Sequence, residues 1–183
     1  MIANNFSRTI VILFISLKIK IKKFIINKIF IMSHLKVGDK APNFETVDEK
    51  GQRISLEDYK GKKLILFTYP KALTPGCTAE ACDLSDHYQE LIEKGFSILG
   101  LSADAPKLQQ KFSEKYQFPF PLIPDTDKVI LKLYGSWGPK MLYGRAYEGI
   151  YRITFIIDEQ GNIEKIFDKV KTKEHAAQIL AAY

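Results

Sequence analysis

The sequence predicts a single α/β domain built on a mixed central sheet flanked by helices. Three observations point there. Leu64–Tyr69 (LILFTY) is a nearly continuous apolar run, as expected of a strand covered on both faces. Strand-like and helix-like stretches then alternate, which calls for crossover helices over a partly parallel sheet. The chain finally reads as a hairpin and a closing helix, which adds antiparallel strands. A chain of 183 residues suffices for one proper core and is short for two.

In order, Phe44–Val47 and Arg53–Leu56 flank Asp48-Glu49-Lys50-Gly51, a hairpin turn. After the Leu64–Tyr69 strand, Thr78–Lys94 is predicted helical, with Ala81, Leu84, Tyr88, Leu91 and Ile92 on one face and Gly95 ending it. Phe96–Leu101 is a second buried strand. Leu108, Phe112 and Tyr116 recur at helical spacing before Pro119 and Pro121, and a short helix is expected around Lys128–Tyr134. Ile153–Ile157 and Ile163–Phe167 enclose Glu159-Gln160-Gly161-Asn162 as a hairpin, after which Thr172 is expected to cap a helix running to about Ala182. Crossover helices bring strand C-termini and helix N-termini to one edge, where sites in open α/β sheets lie.

The net charge of +6 does not mark a nucleic-acid binder. Residues 1–31 carry Arg8, Lys18, Lys20, Lys22, Lys23 and Lys28 and no acidic residue, so they hold the entire excess. From Met32 onward the chain is neutral, with no basic stripe interleaved with aromatics. The longest apolar run of the extension, Thr9–Leu17, has nine residues, against the roughly 20 that span a bilayer. It precedes a lysine cluster, and no alanine between Ala3 and Ala41 could form a small-residue cleavage site. It is also Ile- and Lys-rich, unlike an amphipathic Arg- and Ser-rich organellar presequence. We therefore read 1–31 as a basic apolar extension, translated upstream sequence from an AT-rich genome with Met32 as the true start. A weakly membrane-associated extension is the alternative. Residues 32–183 form the functional domain, expected in the cytoplasm.

Two cysteines, Cys77 and Cys82, are too few for a secreted disulfide scaffold and suggest metal or redox chemistry. Thr74 followed by Pro75 reads as an N-cap and a first-turn proline. Cys77 then lies in the first helical turn, where unpaired N–H groups and the positive end of the helix dipole stabilise a thiolate. Gly76 leaves room for a small substrate. Five residues along an ideal helix separate two Cα atoms by roughly 8.7 Å, whereas a disulfide wants about 4.4–6.8 Å. Cys77 and Cys82 therefore bond only if the helix start unwinds. Taken alone, Cys82 reads as a small apolar filler. His87, five residues past Cys82, completes no zinc pattern, and His34, His87 and His175 are expected to face solvent. Arg152, at the head of the apolar strand Tyr151–Ile157, needs an anion. Pairing with a carboxylate and a place beside the Cys77 thiolate remain equally open from the residues alone.

Pro70-x-x-x-Thr74-x-x-Cys77 resembles the active-site motif of the peroxiredoxins. Thr74-Pro75-Gly76-Cys77-Thr78 with Cys82 resembles the version found in the bacterioferritin comigratory protein (peroxiredoxin Q) group. Gly149–Phe155 is similar to the segment with that family's active-site arginine. The likeness runs from about Leu35 to the C-terminus. Ala72-Leu73 depart from the Asp-Asn of many relatives, at positions that carry no chemistry. The resemblance implies a thioredoxin-like fold and a thiol-dependent peroxidase reducing hydrogen peroxide and organic hydroperoxides. It implies Cys77 as the peroxidatic nucleophile and Cys82 as the resolving thiol, joined in an intramolecular disulfide. Thr74 would hydrogen-bond the peroxide, Pro70 shield the pocket, and Arg152 stabilise the thiolate and polarise the O–O bond. It further implies thioredoxin or a similar dithiol as reductant, no metal or organic cofactor, and a monomer. A thioredoxin-like disulfide oxidoreductase would be expected to carry Cys-x-x-Cys, which is absent. A non-catalytic redox sensor or thiol-switched chaperone could use the same two cysteines.

Overall fold

The computed structural model describes residues 35–142 and 144–183; residues 1–31, the Met32 start and His34 lie outside them. A short hairpin of β1 (Glu45–Val47) and β2 (Arg53–Ser55) opens the domain. Its turn is closed by Asp48, whose Oδ1 accepts the amides of Lys50 and Gln52, both at 2.8 Å.

The central sheet contains β3 (Lys63–Thr68), β4 (Phe96–Ser102), β5 (Leu122–Pro124), β8 (Ile153–Ile157) and β9 (Ile163–Phe167), in the order β5-β4-β3-β8-β9. The pairs β3/β4 and β4/β5 are parallel, and β3/β8 and β8/β9 are antiparallel. This is the expected mixed sheet. Along β3 the side chains alternate between two cores. Ile65 and Phe67 join Ala81, Leu84, Phe112 and Ile179 on one face. Leu64 and Leu66 join Phe44, Ile130, Tyr134 and Phe155 on the other. Burial on both faces explains the unbroken apolar run. Gly100 on β4 is required by packing: a Cβ there would lie 2.5 Å from Leu122 Cδ2 and 2.9 Å from Phe67 Cζ.

The helices are α1 (Pro75–Asp86), α2 (Tyr88–Glu93), α3 (Pro106–Tyr116), α4 (Val129–Leu133) and α5 (His175–Leu180). The expected Thr78–Lys94 helix thus begins three residues earlier and divides at His87. The early start follows from Thr74 as N-cap with Pro75 at the first helical position. At the division, His87 Nδ1 lies 2.9 Å from Asp83 O, so its side chain meets a carbonyl that the helix ladder also uses. Gly95, at φ +84°, ends α2 as expected. The closing helix is shorter than its pattern: Glu174 is its N-cap, and Thr172 lies in the preceding turn.

A hairpin of β6 (Trp137–Leu142) and β7 (Arg145–Ile150) is absent from the sequence expectation, because Gly138, Pro139, Gly144 and Gly149 interrupt any alternation. Among the described residues no helix is long and apolar enough to cross a membrane.

Candidate active site

The C-terminal ends of β3 and β4 and the N-terminal ends of α1, α3 and β8 meet at one sheet edge, because Thr68 pairs with Leu101 in parallel and with Ile153 in antiparallel register. Pro70 to Thr74 form the loop from β3 into α1. Thr74 is extended (φ −88°, ψ 151°) at the N-cap, and its carbonyl accepts the Thr78 amide at 2.8 Å. Its hydroxyl does not cap the helix but donates to Lys71 O at 2.8 Å. The hydroxyl is thereby turned back over the loop rather than along the helix.

Cys77 is the third helical residue, so its own N–H is among those that helix geometry leaves without a carbonyl. It is 1% exposed, while Pro75 and Gly76 before it are exposed. The sulfur therefore sits just beneath the surface at the positive end of α1. Gly76 does not face empty space: a Cβ there would stand 3.6 Å from Arg152 Nη2.

Arg152 immediately precedes β8, and its backbone is fixed by Thr68, whose Oγ1 lies 2.8 Å from Tyr151 O and accepts the Ile153 amide at 3.1 Å. From there Nη2 donates to Cys77 Sγ at 3.1 Å. Nη1 of the same guanidinium pairs with Glu80. Arg152 therefore touches the thiol and pairs with a carboxylate at the same time. Burial would lower the guanidinium's affinity for its proton, but Glu80 and then Cys77 outweigh it, and the net direction is upward.

Glu80 was not foreseen as a site residue. It follows Cys77 by three positions, so the two share a helix face, and it is fully buried. Burial pushes its carboxyl up to about 7, against the opposing pull of Arg152. Its Oε1 is buried without a hydrogen-bond partner among the described residues. A readable signal existed: an acidic residue on the apolar stripe Cys77-Glu80-Ala81-Leu84 must have a cation nearby.

Cys82 lies on the same helix, is a free thiol like Cys77, and is partly buried against the core. Burial, and then Asp86, raise its thiol above the ordinary range. Both cysteines are thus brought onto one intact helix whose N-cap is Thr74, Arg152 contacts Cys77, and Pro70 is exposed at the loop's start. The two described histidines do not both face solvent as expected. His87 is partly exposed, whereas His175 is fully buried. Its ring is held between Thr154 Oγ1 (2.8 Å) and Gln178 Oε1 (3.0 Å).

The AhpC/TSA family pattern matches residues 37–166. Peroxiredoxin Bcp of Escherichia coli is 42% identical over 149 residues, covering 81% of this chain and 96% of the relative. Peroxiredoxin Bcp of Bacillus subtilis is 40% identical over 146 residues, covering 80% and 93%. Among solved structures, the bacterioferritin comigratory protein of Xanthomonas campestris, studied for its alkyl peroxide reduction activity, superposes with a TM-score of 0.72. It is 34% identical, covering 76% of this chain and 88% of that one.

Proposed function

This chain belongs to the AhpC/TSA family and is a peroxiredoxin, a thiol peroxidase with a thioredoxin-like fold; from that premise we propose that Cys77 is its peroxidatic nucleophile and Cys82 its resolving thiol. The observation that carries the reading is the 3.1 Å contact of Arg152 Nη2 with Cys77 Sγ at the start of α1.

In the proposed cycle the Cys77 thiolate attacks the terminal oxygen of a hydroperoxide. The O–O bond breaks, the departing oxygen takes up a proton as water or alcohol, and Cys77 becomes a sulfenic acid. Arg152 donates to the attacking sulfur and faces the charge that develops on the departing oxygen. Thr74 positions the peroxide through its hydroxyl, and Pro70 covers the pocket. The Cys82 thiol then displaces hydroxide from the Cys77 sulfur, releasing water and forming the disulfide. Since five helical residues hold the Cα atoms too far apart, the first turns of α1 open for this step. A dithiol reductant of the thioredoxin type returns both thiols by exchange. Alkyl hydroperoxides are included as substrates on the strength of the Xanthomonas campestris relative.

The same reading takes 32–183 as the catalytic domain, working as a monomer in the cytoplasm. Oxidation of NADPH in the presence of thioredoxin reductase, thioredoxin and peroxide tests the cycle. We expect sustained turnover by the wild-type chain and none by Cys77→Ser. Multi-turnover activity in Cys77→Ser would refute the assignment. A single stoichiometric oxidation without turnover would favour a redox sensor instead.

A further inference from the structure

The loop that carries Pro70 and Thr74 is strained and is held from one side. Leu73, directly before Thr74, adopts φ +62°, a conformation that costs a residue bearing a Cβ and persists only where neighbours enforce it. Two polar anchors bracket the loop. Ala72 N donates to Asp104 Oδ2 at 2.7 Å. Tyr69, immediately before Pro70, donates its hydroxyl to Gln109 Oε1.

The anchors belong to one buried chain of hydrogen bonds. Asp104 Oδ2 also accepts from Ser102 Oγ at 2.8 Å, and Ser102 Oγ accepts from Gln109 Nε2 at 2.7 Å. Tyr69, Ser102 and Gln109 are fully buried. Ser102 ends β4 and Gln109 lies in the first turns of α3. Both are therefore parts of the scaffold, and the hydrogen bonds of these side chains run to one another and to the loop.

We infer that Asp104 is a positioning residue: through the Ala72 amide it locks the strained Pro70–Thr74 loop, and so fixes where a bound peroxide lies relative to Cys77. The inference rests on the peroxidase reading above. A displaced Thr74 hydroxyl leaves the sulfur and Arg152 untouched but misplaces the peroxide, and misplacement by about 1 Å costs roughly 100-fold in rate.

The test separates peroxide activation from the reactivity of the sulfur itself. For the full chain and for Asp104→Ala and Asp104→Asn, two second-order rates are measured at one pH. One is Cys77 oxidation by hydrogen peroxide, by stopped flow. The other is Cys77 alkylation by iodoacetamide, which needs the thiolate but no bound peroxide. Asp104→Ala is expected to lower the peroxide rate about 10- to 100-fold while alkylation stays within about threefold. Asp104→Asn, whose amide oxygen still accepts from Ala72, is expected to restore most of the loss. If Asp104→Ala does not fold, Ser102→Ala replaces it and is expected to show the same selective loss at smaller amplitude. Equal losses in both rates, or none in either, overturn the inference. A wild-type chain that alkylates but does not react with peroxide overturns the peroxidase reading, and this inference with it.

Discussion

Arg152 donates to Cys77 Sγ at 3.1 Å through Nη2 while Nη1 pairs with the carboxylate of Glu80. One guanidinium thus serves two acceptors, and the planar fork of arginine addresses both at once. Glu80 is fully buried and Arg152 mostly so, so the pair is little screened by solvent. Thr68, clasping the backbone on both sides of Arg152, keeps the fork in place.

Replacing Arg152 therefore has two separable effects. Arg152→Ala is expected to slow peroxide reduction about 100- to 1000-fold, the usual loss on removing one preorganised electrostatic partner. It also leaves Glu80 buried without its cation, which costs about 3–5 kcal/mol. Arg152→Lys is expected to recover stability better than rate, because one ammonium cannot hold both partners. Stopped-flow oxidation rates and thermal melts of the two variants check this. A lysine variant with wild-type rate would show that the fork is dispensable.

Glu80 gives the protein a pH-dependent stability whose sign can be stated. Its carboxyl binds a proton more tightly when folded, at about 7, than when unfolded, near 4.3. The stability it contributes is fully present below the unfolded value and is lost as pH rises through about 7. Glu80→Gln removes that titration. Melting temperatures measured from pH 5.5 to 8.5 should show the wild type losing ground to Glu80→Gln as pH rises. A constant difference between them across that range would contradict the assignment.

Opening of α1 should reach beyond the two cysteines. Asp83, one residue past Cys82, accepts the Ala176 amide at 2.7 Å through Oδ2, tying α1 to the first turn of α5. If oxidation unwinds α1, hydrogen exchange should accelerate in residues 75–86 and also in 175–180. Cys82→Ser should accept one equivalent of peroxide, stop at the sulfenic acid, and keep both helices protected. Exchange mass spectrometry of reduced and oxidised protein decides, and unchanged protection at α5 would show that the contact survives.

Four central strands (β3, β4, β8 and β9) and the start of α1 were legible because each rests on local chemistry, whereas β5 (Leu122–Pro124), set among Pro119, Pro121 and Pro124, was not foreseen. Burial on both faces writes a continuous apolar run into Leu64–Tyr69, and Thr74-Pro75 joins a residue suited to the N-cap to one suited to the first helical position. What was not legible depends on chain segments far apart. A guanidinium at position 152 needs an anion, but nothing local says that Glu80 supplies it or that Cys77 shares it. The Asp104–Ala72 bond likewise joins two loops whose meeting follows only from the β3/β4 register. The β6/β7 hairpin was missed for the opposite reason: its glycines and proline erase the alternation that marks a strand.

His175 was misjudged for the same long-range reason, and its burial sets a further pH response. Burial disfavours its charged form and lowers its affinity for a proton, with Arg152 adding in the same direction; the Gln178 hydrogen bond and Asp83 oppose without reversing it. The folded state therefore binds a proton less readily than the unfolded chain, whose histidine titrates near 6.5. His175 costs nothing above that pH and destabilises the fold progressively as pH falls below it. This runs against the effect of Glu80 in the same acidic range, so the wild-type curve alone would blur the two. Comparison with His175→Gln isolates it, since glutamine can still hydrogen-bond toward Thr154 but does not titrate. The wild type should lose melting temperature relative to His175→Gln between pH 6.5 and 5. If the gap stays level or narrows on acidification, the ring is not held neutral between Thr154 and Gln178.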